Sequence, residues 1–275
     1  MELMDLGNPI TTGNTAQIYL HEGKIIKLFF ENASEHEASI EAARQEFALS
    51  SGIPAPRIFE VTEIASRQAI VMEHIKGNSL AGLIVGSAEM SDSRPDAFMA
   101  LVKGRPASEF IKSAEHYFGI SVDHQLAMHG VRADGMGSMA QKLRRQLEDA
   151  SDLSDRQRDI LTDKLEAMRG ETSLCHGDYH VFNLIMSETG VKIIDWVDAS
   201  AGSGRADAYR SYLLYALFSE DIAGLYLEIY CKKSGVSKDE VLFWEPVVAG
   251  ARLSEKIIPL ERERLIETVA RHVKP

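Results

Sequence analysis

The chain has 275 residues, enough for one large domain or two lobes, and its 45% hydrophobic and 26% charged residues are ordinary for a globular protein. Its formal net charge of −11 excludes attraction of nucleic acid or anionic lipid through the overall field, so we expect neither as a partner. Two cysteines, no secretory leader and no apolar run long enough for a membrane span favour a cytoplasmic location.

The first 75 residues predict mostly strands, with one helix. Two β-rich runs within residues 18–30 flank a His-Glu-Gly turn, which predicts a hairpin. Residues 35–51 are rich in alanine and glutamate with apolar residues near helical spacing, and Gly52 with two following prolines ends this predicted helix. Two further strands are predicted, at residues 57–61 and 67–72.

Helical patterns dominate the rest of the chain. Helices are predicted at residues 108–117, 139–149, 155–168 and 206–218, and within 240–269, where two prolines divide the pattern. Only two strand-like runs interrupt them, at 183–186 and 191–196, and these predict a small hairpin. Residues 85–106 are polar and predict an insertion loop. The order predicts an α+β fold with a strand-rich lobe at residues 1–75 and a helical lobe at 76–275.

The segment LCHGDYHVFNLIM, residues 174–186, permits three interpretations. His176 and His180 have the spacing of a zinc-binding helix, but Gly177 replaces the glutamate of that motif and strand-like residues flank it. A polar turn that caps neighbouring backbone groups is the second. The third is a phosphoryl-transfer loop, because Asp178 and Asn183 have the spacing of an aspartate that accepts a hydroxyl proton and an asparagine that binds magnesium.

Residues outside this segment favour phosphoryl transfer. Asp195 ends the second strand of the predicted hairpin, which brings it to the same end as Asn183 and gives magnesium a second oxygen ligand. Upstream, a turn between strands has backbone N–H groups that could cover phosphates; its residues are Gly13, Asn14 and Thr15.

A lysine on an apolar strand is a second upstream feature. Lys27 stands within KIIKLF, and a lysine there suits a phosphate-binding role if an acidic partner follows. The predicted helix after it offers three such partners, Glu37, Glu41 and Glu46. Loop, lysine, acidic helix, His-Gly-Asp and Ile-Asp-Trp therefore occur in the order that phosphoryl transfer requires.

Together these segments resemble the aminoglycoside phosphotransferase/choline kinase family, small-molecule kinases with a protein-kinase-like fold. The resemblance covers nearly the whole chain and rests on GNTAQIYLHEGKIIKLF, GIPAPRIFEV, IVMEHIKGNSL, LCHGDYHVFNLIM and VKIIDWVDASAGSGRADAYRSYLL. His-Gly-Asp and Ile-Asp-Trp favour this family over protein kinases, which have His-Arg-Asp and Asp-Phe-Gly. The resemblance implies a two-lobed fold with a small antiparallel sheet in the N-terminal lobe and a larger, mostly helical C-terminal lobe.

The resemblance also implies the roles of the charged residues. Asp178 is the catalytic base or the group that orients the hydroxyl. Asn183 and Asp195 are the magnesium ligands. Lys27 holds the α- and β-phosphates of ATP, and Glu41 is its partner, since it stands near the place of the family's glutamate.

Three further assignments follow from the same resemblance. The hinge whose backbone binds adenine includes Met72, Glu73 and Ile75. His176 organises the catalytic loop through hydrogen bonds. Asp207 corresponds to a buried aspartate that braces this loop.

The implied reaction is transfer of the γ-phosphate of ATP to a hydroxyl of an aminoglycoside-, choline- or sugar-like alcohol, with Mg²⁺. The acidic charge is compatible with a cationic acceptor. Candidate contacts to an amine are Asp198, Glu220 and Asp221, and candidate stacking residues are Tyr179, Trp196 and Tyr209.

Two alternatives remain open. One is a nucleotide-binding pseudokinase that regulates a partner. The other is an atypical protein kinase that acts on a protein partner, although no Ala-Pro-Glu segment follows Asp195.

Overall fold

The computed structural model describes residues 6–13, 15–86, 107–217 and 219–274, with the backbone alone at 107–109. The chain forms two compact units: Met1–Tyr117 with Val181–Asp198, and Phe118–His180 with Ala199–Pro275. The first unit therefore contains two separate stretches of sequence. The lobe boundary that the sequence predicts at residues 75 and 76 stays a prediction, because these units follow a different partition.

A five-stranded antiparallel sheet forms the centre of the first unit. Its strands lie in the order β1-β2-β3-β5-β4 and are β1 Thr11–Thr12, β2 Ala16–His21, β3 Lys24–Phe29, β4 Ile58–Ile64 and β5 Arg67–Glu73. Glu22 and Gly23 both have positive φ in the two-residue turn between β2 and β3, as tight hairpin turns require. The predicted hairpin and the two strands after it are thus confirmed.

Both faces of this sheet carry apolar side chains. The helix α1, Glu37–Ser50, contacts β4 and β5, and its small alanines allow close packing. One buried cluster joins the helix to the sheet and comprises Ala16, Phe29, Ala38, Ala42, Ile70 and Met72. The other contains Leu6, Tyr19, Ile26, Leu28, Ile64 and Ala69, whose strand residues alternate with those of the first cluster.

A smaller antiparallel sheet completes the first unit. Its strands are β6 Gly77–Ser79, β8 Leu184–Ser187 and β9 Gly190–Ile193, in the order β6-β8-β9. The short helix α2, Leu80–Val85, follows β6, and Ser79 caps it by accepting a hydrogen bond from the Gly82 amide at 3.0 Å. Gly77 permits the close approach of β6 to β8, since a Cβ there would lie 2.0 Å from the Met186 carbonyl oxygen. The predicted hairpin is β8–β9.

The second unit is mostly helical. Its helices are α3 Ala107–His129 from Phe118 onward, α4 Met139–Asp149, α5 Asp155–Lys164, α6 Gly204–Ala216, α7 Glu220–Ser234, α8 Lys238–Leu242, α9 Glu245–Arg252 and α10 Pro259–His272. A 3₁₀ turn, Leu165–Met168, continues α5. The strands β7 Ser173–Cys175 and β10 Ser200–Gly202 pair antiparallel. Capping boxes at Ser154 and Ser237 fix the starts of α5 and α8.

The sequence-based elements of this unit are partly confirmed. The helix predicted at 139–149 has those bounds, and the two prolines divide the last helical stretch as expected. The helix predicted at 108–117 was too short, because α3 continues to His129 with Gln125 as a buried polar residue that interrupts the apolar pattern. The bonds that satisfy Gln125 come from distant residues: Tyr226 donates to it at 2.7 Å, and it donates to Ser211 at 3.2 Å.

Two other features of the chain after residue 76 were missed by the sequence-based predictions. No helix was predicted at α7, although its buried residues have helical spacing; they are Ile222, Ala223, Tyr226, Leu227 and Tyr230. The expectation of only two strands was wrong, because β6, β7 and β10 have three residues each and show no alternation to detect. Of the predicted loop at 85–106, Val85 ends α2 and Gly86 caps it, while 87–106 lies outside the described residues.

Within the described ranges, no helix combines the length and the apolar character needed to cross a membrane.

Candidate active site

Lys27, Glu41 and Asp195 form a charged cluster in the first unit, which we call the Lys27 cluster. The Lys27 ammonium lies 2.7 Å from Glu41 Oε1 and 2.7 Å from Asp195 Oδ1. Lys27 and Glu41 are only 6% and 1% exposed, whereas the Asp195 side chain is 39% exposed. The cluster therefore has a buried ion pair at its base and a carboxylate that solvent or a ligand can reach.

The electrostatics of the Lys27 cluster reflect this burial. Burial disfavours the ammonium, but Asp195 and Glu41 outweigh that cost and raise the pKa of Lys27 above its ordinary value. Burial raises the pKa of Glu41 to about 7 despite the attraction of Lys27, and the charge of Asp195 adds to the rise. Glu41 Oε2 is buried without a hydrogen-bond partner among the described atoms, which accords with a costly carboxylate.

The β8–β9 hairpin brings Asn183 and Asp195 to the same end of the small sheet. Asn183 directly precedes β8, and its carbonyl oxygen accepts a hydrogen bond from the Ile194 amide at 2.9 Å. Asp195 follows β9 after Ile194 and has φ of 65°, a left-handed conformation that aspartate tolerates better than most residues. The hairpin thus brings one amide residue and one carboxylate residue to the same end of the small sheet, and both side chains offer the oxygen ligands that Mg²⁺ prefers.

Lys27 was linked from the sequence to three glutamates, and the structure places Glu41 against it. Glu37 instead accepts from the Ser34 amide at 2.9 Å near the start of α1. Glu46 stands on α1 as an exposed residue.

The other proposed nucleotide-binding residues lie at the edges of the large sheet. Gly13 is exposed, and its amide donates to the Ala16 carbonyl at 2.9 Å in the β1–β2 turn. Thr15 accepts at its carbonyl from Phe30 N at 3.0 Å, and Asn14 lies outside the described residues.

The predicted hinge begins at the end of β5. Met72 is buried as the penultimate residue of β5, and Glu73 ends the strand with its amide donating to Arg57 O at 2.8 Å. Ile75 lies in the short connection from β5 to β6 and is half-buried. Its placement leaves the role of this segment in adenine binding as a prediction.

Asp178 belongs to the second unit, in the turn after β7. Its amide donates to His176 Nδ1 at 3.3 Å, so that nitrogen is the acceptor, and His180 Nε2 lies 3.4 Å from Asp178 Oδ2. Burial opposes the charge, but His180 and Arg210 outweigh it and hold the pKa of Asp178 well below its usual range. Asp178 is therefore a carboxylate near neutral pH, able to accept a hydrogen bond.

Asp207, in the first turn of α6, accepts hydrogen bonds from the loop that contains Asp178. Its Oδ1 lies 2.7 Å from Gly177 N and its Oδ2 lies 3.3 Å from His176 N. His129 Nε2 is 3.0 Å from Oδ2. Burial disfavours the charge, but these donors, His129 first, lower the pKa of Asp207.

His129, Cys175 and Asp207 offer ligand atoms within 4.8 Å of one another, close enough for a metal ion. Asp207, however, already accepts the three bonds from His129 and the loop. Burial raises the pKa of the Cys175 thiol well above its ordinary value, which keeps it protonated. These contacts suit a structural core better than a metal site.

Arg210 was not singled out from the sequence, although it stands one helical turn after Asp207. Its Nε donates to the Gly177 carbonyl at 3.2 Å, and its Nη2 lies 3.0 Å from Glu255 Oε2. The i, i+3 spacing with Asp207 was the available signal, since residues at that spacing lie on one face of a helix.

The residues suggested from the sequence as contacts to the acceptor differ in their exposure. Tyr179, Trp196 and Tyr209 are at most 1% exposed, so they pack in the core and are not available for stacking. Glu220 and Asp221 are exposed in the first turn of α7, where their charge complements the helix dipole. Asp198 is half-buried within the first unit.

Comparison with known proteins places this geometry in context. The sequence matches the phosphotransferase enzyme family over residues 8–244. No curated protein matches the sequence significantly.

Many solved structures share the fold. An aminoglycoside phosphotransferase APH(3'')-Id from Streptomyces rimosus is 15% identical, with 92% of this chain and 94% of that chain covered and a TM-score of 0.60. The choline kinase LicA from Streptococcus pneumoniae is 12% identical, with 96% and 92% covered and a TM-score of 0.62. The amicoumacin kinase hAmiN is 12% identical, with 99% and 90% covered and a TM-score of 0.60.

These similarities establish the two-lobed, protein-kinase-like α+β fold and confirm the resemblance inferred from the sequence. Since the family match spans most of the chain, the protein belongs to the phosphotransferase enzyme family.

Proposed function

We propose that the protein transfers the γ-phosphate of ATP to a hydroxyl group of a small molecule in a magnesium-dependent reaction. The observation that carries this proposal is the Lys27 cluster, in which a buried lysine is bonded both to Glu41 and to the carboxylate that follows β9. A lysine held this way presents a fixed positive charge for phosphates, and family membership supports the reaction class.

The residues beside this lysine fit a magnesium ion. Asn183 and Asp195 stand at one end of the β8–β9 hairpin and offer an amide and a carboxylate oxygen. Bound there with ATP, the ion would offset the charge that develops on the phosphates. Lys27 would hold the α- and β-phosphates, while Glu41 would keep the lysine in place.

Asp178 would act on the acceptor. Its carboxylate is ionised near neutral pH and would accept the proton of the acceptor hydroxyl as the hydroxyl oxygen forms a bond to the γ-phosphorus. The bond between that phosphorus and the β–γ bridging oxygen breaks, and ADP leaves with the bridging oxygen. The products are a phosphomonoester, ADP and one proton.

The acceptor class is supported by the relatives and by the extent of the match. Solved structures of this fold include an aminoglycoside phosphotransferase with ADP and streptomycin, LicA with AMP, and hAmiN with AMP-PNP, Ca²⁺ and Ami. This chain covers at least 90% of each of them. We therefore propose an alcohol of small-molecule size, and the net charge of −11 favours a cationic one.

An ATP-consumption screen tests this function. The native chain with Mg²⁺ and ATP is offered aminoglycosides, macrolides, choline, ethanolamine, amino alcohols and sugars, and ADP is measured against phosphomonoester. We expect one class to give equal amounts of both. ATP binding without turnover over the whole panel would instead indicate a pseudokinase, and phosphate incorporated only into protein would indicate a protein kinase.

A further inference from the structure

One helix holds the peptide groups on both sides of Gly177. Asp207 accepts from the Gly177 amide at 2.7 Å, and Arg210 donates to the Gly177 carbonyl at 3.2 Å. Gly177 has φ of 81°, a left-handed conformation that glycine adopts without steric cost. We call Asp207, Gly177 and Arg210 the Gly177 clamp. Because Gly177 directly precedes Asp178, the clamp determines where the Asp178 backbone begins.

Arg210 is itself held by a chain of alternating charges. Glu255 lies 3.0 Å from Arg210 and 2.6 Å from Arg252, and Gln146 donates to its second oxygen at 3.3 Å. Arg252 is also bonded to Glu261 on α10. Arg252 and Glu261 are both buried, so water does little to screen that end of the chain, whereas the Glu255 side chain is partly exposed.

Such a chain of ion pairs is not an effective way to stabilise the folded state alone. Buried ion pairs lose much of their attraction to desolvation, and apolar side chains of similar volume often stabilise a core equally well. A guanidinium, however, has N–H groups in a rigid fork, and Arg210 uses them to bind a carbonyl and a carboxylate at once. An apolar residue could not fix the orientation of that carbonyl.

We propose that Arg210 is a positioning residue of the phosphoryl-transfer loop: with Asp207 it fixes the Gly177 peptide groups, and Glu255 fixes Arg210. This inference rests on the proposed function, in which Asp178 meets the acceptor hydroxyl. Besides its charge, which helps to keep Asp178 ionised, Arg210 acts through Gly177, and it is not assigned contact with substrate. An error of about 1 Å in placing a catalytic group can cost about 100-fold in rate.

A cavity beside the clamp makes chemical rescue feasible. It has a volume of about 40 Å³, and its lining includes Gly177, Asp207, Arg210, Arg252 and Glu255. Replacement of Arg210 by alanine would enlarge this cavity by most of a guanidinium side chain. Methylguanidinium could then occupy the vacated space and restore both hydrogen bonds, whereas methylammonium supplies the charge without the fork.

The test compares Arg210→Ala with Arg205→Ala on the same helix. Arg205 is a matched control, because it also lies on α6 and is also paired with carboxylates, Glu171 at 3.0 Å and Glu240 at 3.5 Å, but among the described residues it forms no hydrogen bond or ion pair with the Asp178 loop. For Arg210→Ala we expect kcat to fall about 100-fold with KM for ATP unchanged, and methylguanidinium to restore at least a tenth of the lost rate. Methylammonium should restore nothing, and Arg205→Ala should keep native kcat.

Hydrogen exchange measures the clamp independently of turnover. In Arg210→Ala, amide exchange of the 174–180 segment should accelerate about 10-fold, the loss expected for one charge-assisted hydrogen bond. Arg205→Ala should leave it unchanged. If Arg210→Ala does not fold, Arg210→Lys replaces it, and this variant should lose the fork but keep the charge, with kcat reduced about 10-fold.

Two results would overturn the inference: native exchange in Arg210→Ala, or faster exchange with kcat unaffected. Failure of the proposed function gives a different pattern, in which the native chain phosphorylates no acceptor while the exchange comparison still shows whether Arg210 holds the loop. In that case faster exchange in Arg210→Ala alone would support the clamp, and equal exchange in both variants would contradict it.

Discussion

Charged side chains hold one another in the Lys27 cluster, whereas in the Gly177 clamp they hold the backbone. Lys27 lies 2.7 Å from each of two carboxylates, and one of these, Asp195, is partly exposed. Asp207 and Arg210 instead hold the amide and the carbonyl of a glycine. We infer that the first arrangement can exchange partners when a ligand arrives, while the second keeps a loop in one conformation.

Asp195→Asn changes the Lys27 cluster, whose contacts can exchange when a ligand arrives, and we expect it to have the largest effect. The change removes a charge from the proposed magnesium site while preserving shape, and several kcal/mol of transition-state stabilisation corresponds to a loss of roughly 1,000-fold in kcat. Steady-state ATP consumption at saturating Mg²⁺ measures it. Glu188→Gln, exposed in the turn of the same hairpin, serves as the control and should retain native turnover.

Lys27→Met should destabilise the first unit. Removal of the lysine leaves Glu41 buried without its counter-charge, which costs about 3–5 kcal/mol in the free energy of unfolding. Urea denaturation checks this, and the double variant Lys27→Met/Glu41→Gln should recover part of the loss. Lys24→Met on the same strand is exposed and should change stability by less than about 0.5 kcal/mol. Strictly additive effects in the double variant would show that the pair is not coupled.

Glu41→Gln separates the pH dependence of the buried pair from the rest of the protein. The pKa of Glu41 is raised from 4.5 to about 7 on folding, so its contribution to stability is present below about pH 4.5 and is lost as the pH rises through 7. The pKa of Lys27 is raised above 10.5. Lys27 therefore stays protonated between pH 4.5 and pH 8, and its own contribution to stability does not change over this pH range.

The native chain should therefore lose up to about 3 kcal/mol, relative to Glu41→Gln, between pH 4.5 and pH 8. Urea denaturation at several pH values measures both proteins. Parallel curves would show that Glu41 has its ordinary pKa in the folded chain.

His129→Ala tests the Gly177 clamp, which keeps the loop in one conformation, and we expect it to have the smallest effect. The change removes one donor to the buried Asp207 carboxylate, which costs about 1.5–3 kcal/mol. The two bonds from the loop to Asp207 remain, so we expect kcat to fall less than 10-fold. Thermal unfolding measures the loss of stability and steady-state turnover measures kcat. The exposed His116→Ala on the same helix is the control. A fall in kcat of more than 10-fold would mean that His129 controls the loop directly.

Local sequence patterns were sufficient for much of the fold. Strands β2 to β5, the helices α1 and α4 and the β8–β9 hairpin follow from alternation, helical spacing and turn residues. The far half of α3 could not be predicted, because Gln125 is buried by partners about a hundred residues away. Three-residue strands such as β7 exist through pairing with β10 and have no pattern of their own.

The candidate site divides in the same way. The spacing of Asp178 and Asn183 and the position of Asp195 after a strand are local, so both could be read from the sequence. The choice of Glu41 needed the resemblance to a family, since helical spacing left three glutamates open. Arg210 was missed because its partners, Gly177 and Glu255, lie 33 and 45 residues away in the chain.

The most direct test of the proposed reaction is turnover of Asp178→Asn with the acceptor found in the screen. The amide preserves shape but cannot take the hydroxyl proton, so we predict a fall in kcat of about 10²–10⁴-fold with ATP binding retained. Asp134→Asn, an exposed aspartate of the same unit, is the control and should behave as the native chain. Native turnover in Asp178→Asn, with the fold intact, would contradict phosphoryl transfer through this loop.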